Sequence, residues 1–254
     1  MRFGLCTISN QERSVFDVLA SAADAGYDGV EIWGRDHVGD GTAATCREIA
    51  EAAEKRGLEI PVYGSYLRPG TVSFAEKLSH ELAVAERLGA SLIRVWPGEQ
   101  EYGDHSEAHF EQAVADLETL TRRATKRGFG VTVEKHEGTL SNTREGAERL
   151  ITAVDDPNCG LNWQPLFSMH PDDLRAEAEA LAPLSNNVHM QAVGERGTRD
   201  RCALSESFFD VEAVLEPFER AGFEGYVNVE FVRGDCEYDA AIEADLDFLE
   251  TATC

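Results

Sequence analysis

Glu86-Arg87-Leu88-Gly89, followed by Ser91-Leu92-Ile93-Arg94-Val95-Trp96, decides the fold, because the same phrase returns along the chain. A helix-type run, a glycine and a short β-rich run recur as Ala23-Asp24-Ala25-Gly26 before Tyr27-Asp28-Gly29-Val30-Glu31-Ile32-Trp33. Further copies are Glu54-Lys55-Arg56-Gly57 before Leu58-Glu59-Ile60-Pro61-Val62-Tyr63, and Thr125-Lys126-Arg127-Gly128 before Val131-Thr132-Val133-Glu134. A late one is Glu219-Arg220-Ala221-Gly222 before Tyr226-Val227-Asn228-Val229-Glu230. Glycine just past a helix takes the left-handed conformation that ends it, so each copy reads as a helix stop feeding a strand. A repeat of roughly 30 to 40 residues is the size of a strand–helix–strand unit.

The stretches between carry the helical period. Val15, Val18, Leu19 and Ala22 share one face, as do Phe110, Ala113, Val114 and Leu117, and Val211, Val214, Leu215 and Phe218. Residues 3–8, 159–164 and 188–193 complete a set of eight strands. Alternating strands and helices make a parallel sheet. An open dinucleotide-binding sheet would show Gly-x-Gly-x-x-Gly after the first strand, where Ser9-Asn10-Gln11-Glu12 stands instead. With no Pro/Ser-rich linker, the expectation is α/β: one (β/α)8 TIM barrel over residues 1–254.

Composition agrees with that size. The chain has 254 residues, 43% of them hydrophobic, and no apolar run near the roughly 20 residues of a membrane span. Met1-Arg2-Phe3-Gly4-Leu5 reads as a first strand, not a signal peptide, so a cytoplasmic protein with no membrane partner is expected. Cys6, Cys46, Cys159, Cys202, Cys236 and Cys254 are scattered without a CxxC pair, which suits reduced thiols. The formal net charge is -24, and Lys55, Lys77, Lys126 and Lys135 are the only lysines. Acidic residues spread through every helix suit a halophile-like surface kept soluble in high salt; a basic partner or cation storage is the functional alternative. Such a field repels a phosphate backbone, so nucleic acid is not an expected partner; a homo-oligomer is compatible.

Barrel enzymes work at the C-terminal strand ends, and residues two apart on a strand share a face. Strand 5 therefore pairs Glu134 with His136, strand 6 Asn162 with Gln164, strand 7 His189 with Gln191, and strand 8 Asn228 with Glu230. A lone inward Glu or His is ordinarily a hydrogen-bonded core residue. Four consecutive strands ending in polar groups ask for more, since facing glutamates repel unless a cation, proton or ligand lies between them. Two carboxylates, an imidazole and an amide oxygen suit Mn²⁺, Mg²⁺, Co²⁺ or Zn²⁺.

These motifs together resemble the xylose-isomerase-like barrels, the sugar phosphate isomerases and epimerases, with endonuclease IV as a distant nuclease branch. The resemblance is carried by Gly26-Tyr27-Asp28-Gly29-Val30-Glu31, Ile93-Arg94-Val95-Trp96-Pro97-Gly98, Val133-Glu134-Lys135-His136, Val188-His189-Met190-Gln191 and the run from Gly222 to Glu230. It implies a divalent metal held by Glu134, Gln164, His189 and Glu230. Two departures stand out: Gln164 replaces the family's Asp, and Phe167 its usual following His. Gln keeps a carbonyl oxygen but removes a charge, so weaker metal binding is expected.

The resemblance further implies proton transfer next to a carbonyl of a keto sugar, sugar phosphate or polyol. Glu134 and Glu230 would act as catalytic bases, while His136 and Arg94 bind substrate and Glu31 and Trp96 line the wall. Gln191 and Arg199 are added as substrate contacts; Gly194-Glu195-Arg196-Gly197-Thr198-Arg199-Asp200-Arg201 could reach a phosphate or carboxylate, or be a solvated loop with internal ion pairs. The expected enzyme is an isomerase or epimerase, with a dehydratase using the same enolate, or a non-catalytic sugar-binding barrel, as alternatives. A nuclease would need further His and Asp ligands and a basic surface, which the chain lacks.

Overall fold

A computed structural model describes residues 1–253. Among them, strands β1 Arg2–Cys6, β2 Gly29–Trp33, β3 Glu59–Gly64, β4 Leu92–Val95, β5 Gly130–Glu134, β6 Cys159–Trp163, β7 Ser185–Met190 and β8 Tyr226–Val229 form the sheet. They alternate with helices α1 Val15–Ala25, α2 Ala43–Glu54, α3 Phe74–Leu88, α4 Glu107–Thr125, α5 Arg144–Val154, α6 Pro171–Leu181, α7 Val211–Arg220 and α8 Tyr238–Ala252. Each strand pairs in parallel with the next, and β8 pairs with β1 to close a (β/α)8 TIM barrel.

Local chemistry sets these boundaries. Ser14, Thr42, Ser106, Thr143 and Asp210 each accept a hydrogen bond from the backbone N–H three residues on, satisfying one donor that a helix start leaves free. Gly26 and Gly89 end α1 and α3 at φ 99° and 69°. Gly57, Gly128 and Gly222 take positive φ within the turn that follows α2, α4 and α7.

The main core lies between strands and helices. Val30, Ile32, Ile93, Val131, Leu161, Val188 and Val227 are buried, as are Val18, Leu19, Leu117, Val214 and Phe218 of the helices. Each such side chain contributes roughly 1.5–3 kcal/mol by leaving water. The barrel interior is more polar. Asn187 donates to Asn162 Oδ1 at 2.9 Å, and Asn228 donates to Asn187 Oδ1 at 2.9 Å, so three buried amides cross from β6 to β8. Asn228 fills the space beside β1: a Cβ on Gly4 would stand 2.0 Å from its Oδ1.

That ladder explains a difference from the expected strands. The seventh strand was expected at 188–193 but runs Ser185–Met190. Its Ser-Asn-Asn start looks like a turn, yet Asn187 pairs inside the barrel and Asn186 Nδ2 bonds Val131 O at 2.9 Å. The first strand stops at Cys6, where residues Thr7–Ser9 form a 3-10 turn and Thr7 Oγ1 accepts from Trp33 N. Cys6, Cys46, Cys159, Cys202 and Cys236 are free thiols, while Cys254 lies outside the described residues. No helix among the described residues is long and apolar enough to cross a membrane.

Candidate active site and metal centre

Glu134 ends β5 at the barrel mouth, 1% exposed. Its Oε2 receives Nη1 of Arg94 and Nε1 of Trp96, and its Oε1 receives Nε2 of Gln164 at 3.1 Å. Arg94, buried on β4, also donates from Nε to Glu31 Oε1 at 2.8 Å, so one guanidinium holds two carboxylates. Burial alone would raise the Glu31 pKa, but His189 and Arg94 outweigh it and hold the carboxyl at about 2.

His189 stands on β7 with Nε2 2.7 Å from Glu31 Oε2. A bond to a carboxylate places the proton on Nε2, so the Nδ1 lone pair is the one left over. Nδ1 is buried without a hydrogen-bond partner, 3.5 Å from Glu230 Oε1 and 3.8 Å from Glu134 Oε1. The candidate ligand atoms of Glu134, His189 and Glu230 lie within 4.8 Å of one another. A lone pair facing two carboxylate oxygens repels them unless a cation or a proton sits between, and this donor set suits a divalent ion. Glu31, Glu134 and Glu230 outnumber Arg94 among these buried groups, so the charge also calls for a cation. Cys6, Glu31 and His189 converge as well, with Cys6 Sγ 3.7 Å from His189 Nε2. That Nε2 is already committed to Glu31, and burial, then Glu31 and Glu230, push the thiol pKa well up, so the second grouping is a hydrogen-bonded floor.

Gln164 was expected to turn its carbonyl oxygen toward the ion. Its Nε2 instead lies 2.8 Å from Lys135 O and 3.1 Å from Glu134 Oε1. Both partners are acceptors, so the nitrogen must face them. Gln164 Oε1 accepts from Gln191 Nε2 at 3.1 Å, and that nitrogen also reaches Glu230 Oε2 at 2.7 Å. Gln191 Oε1 is left buried and unpartnered, an amide oxygen on a side chain whose nitrogen already touches Glu230.

A cavity of about 340 Å³ opens over this cluster, lined by His136, Gln164, Gln191, Arg201, Glu230 and Phe231 among others. Glu230, 7% exposed, faces it, while Glu134 is outside its lining. His136 Nδ1 lies 2.6 Å from Glu137 O, which requires a hydrogen on Nδ1 and leaves Nε2 as the nitrogen that can gain or release a proton. The ring stacks on Trp96 with centroids 4.9 Å apart.

Several expected substrate contacts sit elsewhere. Glu31 and Arg94 lie beneath the ligand cluster and hold His189 and Glu134; Trp96 braces Glu134 and His136. Arg199 does line the cavity, at its rim, with its side chain 90% exposed and 4.0 Å from Glu137. Within the 194–201 segment sequence reasoning singled out Arg199 and not Arg201, whose guanidinium lies over the Phe167 and Phe231 rings. It also missed that Lys135 turns away from the pocket, with Nζ 2.9 Å from Glu177 Oε1 on α6. Its place between inward-facing Glu134 and His136 on an alternating strand was the available signal.

The closed barrel with carboxylates and a histidine at its C-terminal end defines the class, and comparison with known proteins gives the family. The chain belongs to the xylose isomerase-like TIM barrel family, which matches residues 19–252. A curated 3-dehydroshikimate dehydratase of Bacillus anthracis is 27% identical over 171 residues, covering 64% of this chain and 61% of the relative's own length. Among solved structures, a probable 3-DHS dehydratase of the same organism, involved in petrobactin synthesis, has TM-score 0.82 at 21% identity, covering 98% and 99% of the two chains. D-allulose 3-epimerase from Methylomonas sp. has TM-score 0.81 at 15% identity over 99% and 98%, and 3-keto-D-glucoside 4-epimerase from E. coli 0.77 at 19% over 99% of each. At these identities the solved structures speak for the fold. The relatives with named activities are enzymes, mostly epimerases with a dehydratase among them.

Proposed function

We propose that this chain is a metal-assisted enzyme that removes the proton next to a carbonyl of a small polyhydroxylated substrate. The observation that carries this reading is the buried, partnerless Nδ1 of His189 facing Glu134 and Glu230 beneath a cavity that Glu230 and His136 line. Glu134, Glu230 and His189 would hold the ion, with the Gln191 oxygen alongside. When bound, a divalent cation polarises a carbonyl and stabilises the enolate charge that develops beside it.

The two glutamates take different parts. Glu134 has both oxygens engaged by Arg94, Trp96 and Gln164, so it serves as a fixed anion. Glu230 reaches the cavity and is the group placed to take the substrate proton. His136, with its free Nε2, is the second proton carrier. Phe167, Phe231 and Gly197, Thr198, Arg199 and Arg201 of the 194–201 loop line the same cavity.

An epimerase must return the proton to the opposite face of the same carbon, which suits two matched bases. Here the pair is one carboxylate and one imidazole: Glu230 takes the substrate proton, and His136, entering as the imidazolium with a second proton on Nε2, gives that proton to the leaving hydroxyl. We therefore favour dehydration, in line with the named activity of the curated relative; isomerisation or epimerisation shares the first step and is the second reading. The substrate class is a hydroxylated ketone. Incubation in D₂O with ketoses and hydroxylated cyclic ketones separates the outcomes: deuterated or inverted ketone marks isomerase chemistry, and a conjugated enone marks loss of water. Neither signal from the metal-loaded protein would overturn the reading.

A further inference from the structure

Among the described residues, Arg201 has no directly paired anion. Its Nη1 is buried and makes no hydrogen bond, and no carboxylate among the described residues lies within ion-pair distance of it. Its guanidinium carbon stands 5.1 Å from the Phe167 ring centroid and 4.7 Å from that of Phe231, so aromatic faces fix the fork in place. The backbone is held too: Arg201 bridges Val193, Cys202 N bonds Ala192 O at 3.2 Å, and Gly197 N bonds Phe167 O at 2.8 Å. Burial pulls the Arg201 pKa down and outweighs the opposing charge of Glu230, which stands beyond ion-pair distance. In a chain of net charge -24, an unpaired arginine inside a cavity requires a reason. The neighbouring cation, Arg199, is accounted for at the rim by Glu137.

We propose that Arg201 forms the subsite for a carboxylate carried by the substrate, so that this enzyme takes hydroxyketo acids rather than neutral sugars. This rests on the carbonyl-adjacent proton transfer proposed above and names its substrate class. Charge supports it: Glu31, Glu134 and Glu230 stand against Arg94 and Arg201, a divalent ion would leave one positive charge in excess, and a monoanion cancels it. Shape supports it as well. A guanidinium edge matches a planar carboxylate with two parallel hydrogen bonds. A phosphate dianion would meet Arg201 and the rim residue Arg199 with Glu230 and Glu137 also lining the cavity.

Two matched sets of probes, measured by calorimetry at fixed ionic strength on the Mn²⁺-supplemented protein, test the subsite without turnover. One set is benzoate, benzamide and phenyl phosphate; the other is D-glucuronate, D-glucose and D-glucose 6-phosphate. The expected result is that the carboxylate of at least one set binds about ten-fold or more tighter than its neutral and phosphate counterparts. Arg201→Gln should abolish that preference, while Arg196→Gln, which removes the same charge from the exposed part of the loop, should keep it. Because the Val193 bridge is a backbone contact, Arg201→Gln retains the loop, and Arg201→Lys provides a second variant that keeps the charge but loses the fork. Preference for phosphate, no preference in either set, no binding at all, or a preference surviving in Arg201→Gln would each overturn the subsite. Any of these would leave proton exchange untouched, and loss of exchange with the carboxylate preference intact would overturn the reaction instead.

Discussion

His189 Nε2 lies 2.7 Å from Glu31 Oε2, and this bond decides which imidazole nitrogen faces the reaction centre. A carboxylate behind a histidine fixes the tautomer and raises the basicity of the other nitrogen. Glu31→Gln removes the charge and permits the opposite tautomer. It should weaken Mn²⁺ binding about 10- to 100-fold with the fold retained. Calorimetric titration checks this; unchanged affinity would mean that His189 does not ligate through Nδ1.

Gln164 donates to two acceptors, so Gln164→Asp should act oppositely with and without metal. In EDTA, a carboxylate set against Glu134 and Lys135 O repels both, and melting should shift down. With Mn²⁺, the added negative charge should enlarge the metal-induced upward shift beyond that of the wild type. Thermal scans in the two buffers give the sign directly.

The Lys135–Glu177 pair is fully enclosed behind β5, with Nζ to Oε1 at 2.9 Å. Burial drives the lysine pKa down and the glutamate pKa up, so each depends on the other to remain charged. Lys135→Met or Glu177→Leu alone should cost about 3–5 kcal/mol in urea unfolding, because each strands a buried charge. The double substitution should recover most of it.

Much of the barrel was legible because glycine after each helix and apolar residues at helical spacing are local signals. The ligand cluster was partly legible for the same reason: Glu134, His189 and Glu230 fall on the inward phase of strands. What could not be read was orientation across the barrel. Gln164 presents nitrogen and not oxygen because Lys135 O and Glu134 Oε1 both approach it, and neither neighbour's position is local information. The same holds for Arg94, which two distant carboxylates draw beneath the pocket, and for Arg201, whose loop has no period to betray an inward side chain.

Asp245 gives a pH test of stability. Burial raises its pKa to about 6, although Leu204 N donates to Oδ1 at 2.8 Å. A carboxyl whose folded pKa lies above its unfolded value binds more protons when folded, so its contribution falls as pH rises from about 4 to about 6. Asp245→Asn retains an oxygen for Leu204 and loses the titration. The variant should gain on the wild type across that window, by at most about 3 kcal/mol. Parallel urea unfolding at pH 4 and pH 7, about the ends of the window, checks the direction.

The central claim, that Glu230 removes a proton beside a carbonyl, is tested by deuterium transfer from D₂O, followed by NMR on a panel of ketoses, hydroxylated cyclic ketones and hydroxyketo acids. Metal occupancy must be matched first, since Glu230 is also proposed as a ligand of the ion. The wild type should show incorporation, or deuterium-sensitive loss of water, and metal-loaded Glu230→Gln a fall of about 100- to 10,000-fold. Undiminished rates in that metal-loaded variant would contradict it.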